Sequence, residues 1–241
     1  MEDTETKEIK ETKKLKESKT LSKQTNIEIL IFALTIHCLL LYGFDAIPLQ
    51  GNIWVQRLLE TGYKFVVALP AVIGFLIQKR KIKDVFSNNR HFWKYSLVIL
   101  LITSCVATGY TLLFYCFNPV DTGDMEFQMP KAYTIIYYLV TDILVTGLLE
   151  EFVFREFVLG TLNDIIGQKG IPEAVLSAVI FGLVHLVNGN WEQVAFATFL
   201  GLVLGITKQK YKDCTFLSCV LAHGMYNFIN YMVGNLIYLF Y

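Results

Sequence analysis

The chain has none of the sequence marks of a secreted, disulfide-held or zinc-knuckle protein. Its five cysteines, Cys38, Cys105, Cys116, Cys214 and Cys219, form no CxxC pair, and most lie in apolar runs, where a free thiol packs as a small hydrophobe. Charge of one sign is not in excess: 21 Lys and Arg balance 21 Asp and Glu, so no global field invites a nucleic-acid partner. There is no HExxH, which excludes an ordinary zincin. There is also no internal repeat and no sign of a second domain. What the 241 residues do have is apolar content, 54%, with a mean hydropathy of +0.46. That lies outside the soluble range and reads as a membrane protein.

The charges are unevenly placed. Residues 2–26 hold seven Lys and six acidic residues with only three separated apolar ones, too few to offset the entropy of ordering. Residues 1–26 are therefore expected to be a disordered, charged cytoplasmic tail, with 27–241 as one transmembrane domain. The apolar run begins only at Ile27, unlike a cleaved secretory leader, so the tail is expected to stay attached. Apolar stretches then recur at 27–44, 60–77, 92–117, 132–157, 172–188, 191–207 and 215–237, each near the roughly 20 residues that span a bilayer core. Lys79, Arg80, Lys81, Lys83 and Arg90 follow the second stretch, and Lys208, Lys210 and Lys212 precede the last. The positive-inside rule puts both segments in the cytoplasm with the tail. The fold class is thus all-α: a polytopic bundle of about seven membrane helices with a cytoplasmic N-terminus.

A charge in hydrocarbon costs about 2.5–3.5 kcal/mol on insertion scales, so it needs a partner, water or a function. Three clusters meet that description. In YLVTDILVTGLLEEFVFREFVLG, Asp142, Thr146 and Glu150 recur at helical spacing and form a polar stripe. Glu151 and Arg155 stand at i, i+4, which suits an ion pair and leaves Glu150 without an evident neutralising neighbour. FGLVH sets Phe181 one turn before His185, and HGMYN sets His223 one turn before Asn227 with Gly224 between them. Taken singly, such residues often serve as snorkelling charges or interhelical hydrogen bonds. Together, a carboxylate, two imidazoles and an amide supply what water-driven amide hydrolysis requires: a proton acceptor and oxyanion donors, or a metal they hold. His37, with no polar partner at helical spacing, and His91, at a membrane border, are left out of the site.

In these residues the sequence resembles the CPBP family, the CAAX-processing and bacteriocin-processing (Abi) intramembrane proteases, which include the type II CAAX prenyl endopeptidases. The family pattern is EExxxR, then FxxxH, then HxxxN or HxxxD on successive membrane helices. It stands here as Glu150-Glu151 with Arg155, Phe181 with His185, and His223 with Asn227, in a protease-like core expected at about 131–235. The resemblance implies that Glu150 activates water, that His185 and His223 contribute to activation or metal binding, and that Asn227 stabilises the oxyanion, with Glu151, Arg155 and Phe181 in support. It also leaves two chemistries open: a Zn2+ held by Glu150, His185 and His223 with an open water position, or a directly activated water without metal.

By the same resemblance the expected activity is peptide-bond hydrolysis in membrane-associated peptide or protein substrates, with the lipid bilayer as partner and no nucleic acid. The lysine-, isoleucine- and asparagine-bearing tail suggests a bacterial plasma-membrane protein. The alternatives are a non-catalytic bacteriocin-immunity or scaffold protein, which would use the same polar residues for packing, and a small proton- or cation-coupled transporter, which would show inverted repeats. Depth poses a difficulty. If 172–188 crosses fully, His185 falls near the outer end while Glu150 lies near the inner one, so a shared site requires a tilt, a kink or a misplaced boundary.

Overall fold

The computed structural model describes residues 21–48, 51–86, 92–117, 130–187 and 189–237; the first 20 residues of the expected tail, together with His91, lie outside them. Within this set there are eight helices and no strand: α1 (Lys23–Asp45), α2 (Ile53–Ile77), α3 (Ile82–Val85), α4 (Phe92–Phe117), α5 (Ala132–Ile166), α6 (Ile171–Val184), α7 (Trp191–Lys210) and α8 (Phe216–Ile237). The all-α expectation holds. Large apolar side chains such as Phe32, Tyr42, Leu58 and Trp191 face outward, the surface an integral membrane protein presents to lipid.

Helix ends follow local chemistry. α1 begins at Lys23, four residues before the first expected apolar position, because Ser22 caps it: Ser22 Oγ accepts from the Thr25 amide at 3.0 Å and satisfies an otherwise unpaired donor. Asn52 and Asn190 cap α2 and α7 in the same way. α5 stops at Gly167, whose φ of 85° is the left-handed conformation that glycine adopts without penalty. Pro172 then opens α6, where its missing amide costs nothing.

The expected count of seven crossings is not reproduced. By length and composition four helical segments qualify among the described residues: Lys23–Phe44, Ile53–Ile77, Phe92–Tyr110 and Ala132–Ile166. α7 and α8 have 20 and 22 residues but carry more polar side chains. α6 has 14 residues, about 21 Å at 1.5 Å per residue, too short for a core of about 30 Å. It ends at Val184 with His185 as its cap, so the expected span 172–188 becomes one arm of a helical hairpin whose tip carries the histidine. The expected boundary is therefore what the structure moves.

Small residues let the hairpin close. A Cβ added at Gly201 of α7 would lie 3.1 Å from Ala178 Cα, and one at Gly205 would lie 3.3 Å from the Ala174 methyl. Ala174 and Ala178 on α6 thus meet Gly201 and Gly205 on α7, the small-residue contact that allows membrane helices to approach closely. α8 meets α5 still more closely. A Cβ at Gly224 would lie 2.5 Å from Ile143 Cα, and one at Gly147 would lie 2.8 Å from the Val220 carbonyl.

Three segments that the positive-inside rule places on one side do gather at one end of the bundle. Gln78, at the end of α2, donates to Asn26 near the start of α1 at 3.2 Å. Arg80 reaches the end of α5 through the Glu156 carbonyl (2.9 Å) and Asp164 (2.5 Å), and Lys208 of α7 pairs with Glu156.

Candidate active site

α5 carries the acidic motif and is not a uniform α-helix. It passes through two π-helical stretches, Asp142–Gly147 and Phe152–Val158, with Leu148–Glu151 as α-helix between them. Such widened turns are frequent at functional sites. Neighbouring residues on a helix point about 100° apart, which sends Glu150 and Glu151 to different surroundings. Glu151 is fully buried, whereas the Glu150 side chain retains 29% exposure.

His223 of α8 fits between them. Its Nδ1 donates to Glu151 Oε1 at 2.7 Å, and its Nε2 faces Glu150 Oε2 at 3.7 Å. The second oxygen of Glu151 is 3.0 Å from Nε of Arg155, so the expected ion pair is present and wholly inside the protein. Phe181 acts as the wedge. It is 1% exposed; its ring centroid stands 4.7 Å from that of His185 and 5.7 Å from that of His223, both edge-on, and the Arg155 guanidinium lies 4.7 Å above it. His185 donates from Nδ1 to the Phe181 carbonyl at 2.8 Å. Both imidazoles therefore have Nδ1 engaged and Nε2 left for chemistry.

Glu150, His185, His223 and Asn227 line one cavity of about 660 Å3, with Asp142, Thr146 and Lys64. A second cavity of about 390 Å3 shares Glu150, His185, Thr146 and Lys64 and extends to His37 and Glu60. Glu150 stands where the two chambers meet. Asp142, Thr146 and Glu150 thus share a cavity, as their spacing implied.

Two residues outside the expected set belong to this environment. Lys64 of α2 donates to Thr146 Oγ1 at 2.6 Å and lines both chambers. A lysine in an apolar stretch is the kind of signal that identified the other clusters, and it was there to be used. His37, left out for lack of a helical-spacing partner, finds one on a different helix: its Nδ1 donates to the Val67 carbonyl at 2.8 Å, and it lines the smaller chamber.

A catalytic zinc needs three ligands converging at about 2.0–2.3 Å from one point. Among the described residues no three His, Cys, Asp or Glu side chains are grouped to hold a metal ion. Glu150, His185 and His223 share a cavity wall without forming such a group, so this donor set does not fit a resident metal as it stands.

Residues 132–229 match the family model described as type II CAAX prenyl endopeptidase Rce1-like. That model is one of the CPBP family. The matched segment runs from the first turn of α5 into α8 and contains all three motifs; Lys64 and His37 lie outside it. A further similarity is to stage II sporulation protein E of Bacillus subtilis (strain 168), 26% identical over 154 residues, covering 60% of this chain and 18% of that protein. The chain spans less than a fifth of that relative's length. No solved structure matches.

Proposed function

We propose that this protein is an intramembrane endopeptidase in which Glu150 activates the attacking water. The observation that carries this reading is the placement of His223 between two carboxylates, one buried and ion-paired, the other open to a cavity that also holds His185 and Asn227. Glu151, engaged by Arg155, orients the imidazole. Glu150 has the exposure a proton acceptor needs.

In the proposed cycle a water in the larger cavity donates to Glu150 and is held by the free Nε2 of His185. As its oxygen adds to the scissile carbonyl carbon, Glu150 takes the proton. The carbonyl oxygen gains charge and accepts from the Asn227 amide and from His223 when protonated. The C–N bond then breaks, and Glu150 returns the proton to the leaving amine. No step is routed through a metal, since the donors do not converge on one.

The substrates proposed are membrane-associated peptides or proteins in a bacterial plasma membrane. The deciding experiment is cleavage of a membrane-peptide library by the purified protein in nanodiscs, compared with Glu150→Gln and His223→Ala. Cleavage by wild type that both substitutions abolish is the expected result. If the library stays intact with every variant folded, the chain is a binding or immunity protein instead.

A further inference from the structure

A third cavity, of about 740 Å3, lies at the end of the bundle where α2, the last turns of α5 and the α7–α8 connection meet. It shares no lining residue with the two chambers at Glu150. Seven of its lining side chains are Lys or Arg and three are Asp or Glu. Two of those carboxylates are engaged: Asp164 by Arg80 and Glu156 by Lys208. Lys79, Lys81, Lys169 and Lys212 face the same space with Asp84 as the remaining lining carboxylate, while Arg155 is paired with Glu151 from behind the wall. An open cleft this rich in one sign concentrates a counter-ion.

Arg155 makes the case specific. The residue is 2% exposed, and its Nη1 and Nη2 have no hydrogen-bond partner. Its Nε side faces Glu151 and one face covers Phe181, which leaves the N–H groups of the terminal nitrogens unused. Buried donors are almost always paired, and a guanidinium fork matches the spacing of phosphate oxygens.

We infer that this cavity binds a phosphorylated anion, a phosphate mono- or diester, gripped by the Arg155 guanidinium and the lysines around it. The positive-inside rule puts this end at the cytoplasmic leaflet, where anionic headgroups are abundant. A phospholipid headgroup and a free phosphate offer the same chemistry, and the experiment separates them.

The test uses the full chain in a neutral maltoside detergent and chloride buffer, with ligands followed by native mass spectrometry and thermal shift. The probes are inorganic phosphate, dioctanoyl phosphatidic acid, dioctanoyl phosphatidylglycerol and, as zwitterionic control, dioctanoyl phosphatidylcholine. Saturable binding of the anionic probes, weakened at least about tenfold by the triple variant Lys81→Gln, Lys169→Gln, Lys212→Gln and by added salt, is the expected result. These lysines lie away from the Glu150 chambers, so the unliganded variant should melt with wild type. Arg155→Lys keeps a cation beside Glu151 but removes the planar fork; as the second variant it should bind phosphate at least about tenfold more weakly than wild type. Phosphate binding as tight as that of the lipids assigns a free anion; binding of the anionic lipids alone assigns a headgroup. The inference is overturned if phosphatidylcholine binds equally, if the triple variant binds as wild type does, or if nothing saturates.

Discussion

His223 donates its Nδ1 proton to Glu151 at 2.7 Å, and that bond decides what the rest of the imidazole can do. With Nδ1 committed, Nε2 is the nitrogen turned toward Glu150 and the larger cavity. Second-layer carboxylates of this kind fix a histidine's tautomer and ring orientation.

Replacing Glu151 with Gln should therefore act twice. It removes the charge that orients His223, lowering turnover about 10–100-fold, and it strands the buried Arg155 cation at a cost of about 3–5 kcal/mol. Peptide turnover and thermal unfolding on the same preparation would show both. Wild-type values in either would remove that role.

Glu150→Gln should separate the two quantities. Its side chain is partly exposed and holds no buried cation, so stability should stay within about 0.5 kcal/mol of wild type. Turnover should fall about 10^2–10^4-fold. Retained cleavage would mean that another group takes the proton.

The Glu151–Arg155 pair lends itself to a double-mutant cycle. Glu151→Leu and Arg155→Met should each destabilise by about 3–5 kcal/mol, whereas the double variant should cost far less than their sum, because it leaves no lone buried charge. Denaturation in mild detergent gives the coupling. Strict additivity would show that the two side chains are energetically independent.

Gly224→Ala tests the α5–α8 approach. The added methyl meets Ile143 Cα and the Asp142 carbonyl, backbone atoms that cannot swing aside, so about 1–3 kcal/mol of stability should be lost. Turnover should drop as well, since His223 is the preceding residue. Gly62→Ala, where a Cβ meets nothing within 4 Å, is the control and should be neutral or slightly stabilising. Equal effects at the two sites would contradict the close contact.

Much of the site was legible because its residues sit at helical spacing. Glu151 and Arg155 were visible as a pair at i, i+4, and His223 with Asn227 as one face of a turn. The Glu150 stripe survived even though π-helical turns, which have no evident sequence signal, alter the repeat between Asp142 and Val158. Span lengths were less legible. Apolar composition continues through Leu186 and Val187, but the helix ends at Val184, and hydropathy alone does not report where a hairpin turns. His37 was missed for another reason: its partner, Val67, is on another helix, and a single sequence does not reveal such a pairing; Lys64 did carry a signal, a charge within an apolar stretch, although its partner Thr146 was not legible.

The groups proposed to act and the walls around them have different origins. Glu150, Glu151 and His223 come from α5 and α8, locked in register by two glycines, while Lys64 comes from α2, Ala107 from α4 and Phe196 from α7. The outer helices can exchange side chains without disturbing that register. Under the proposed function, changes on α2, α4 and α7 would alter peptide selectivity while leaving the Glu150–Glu151–His223 geometry in place.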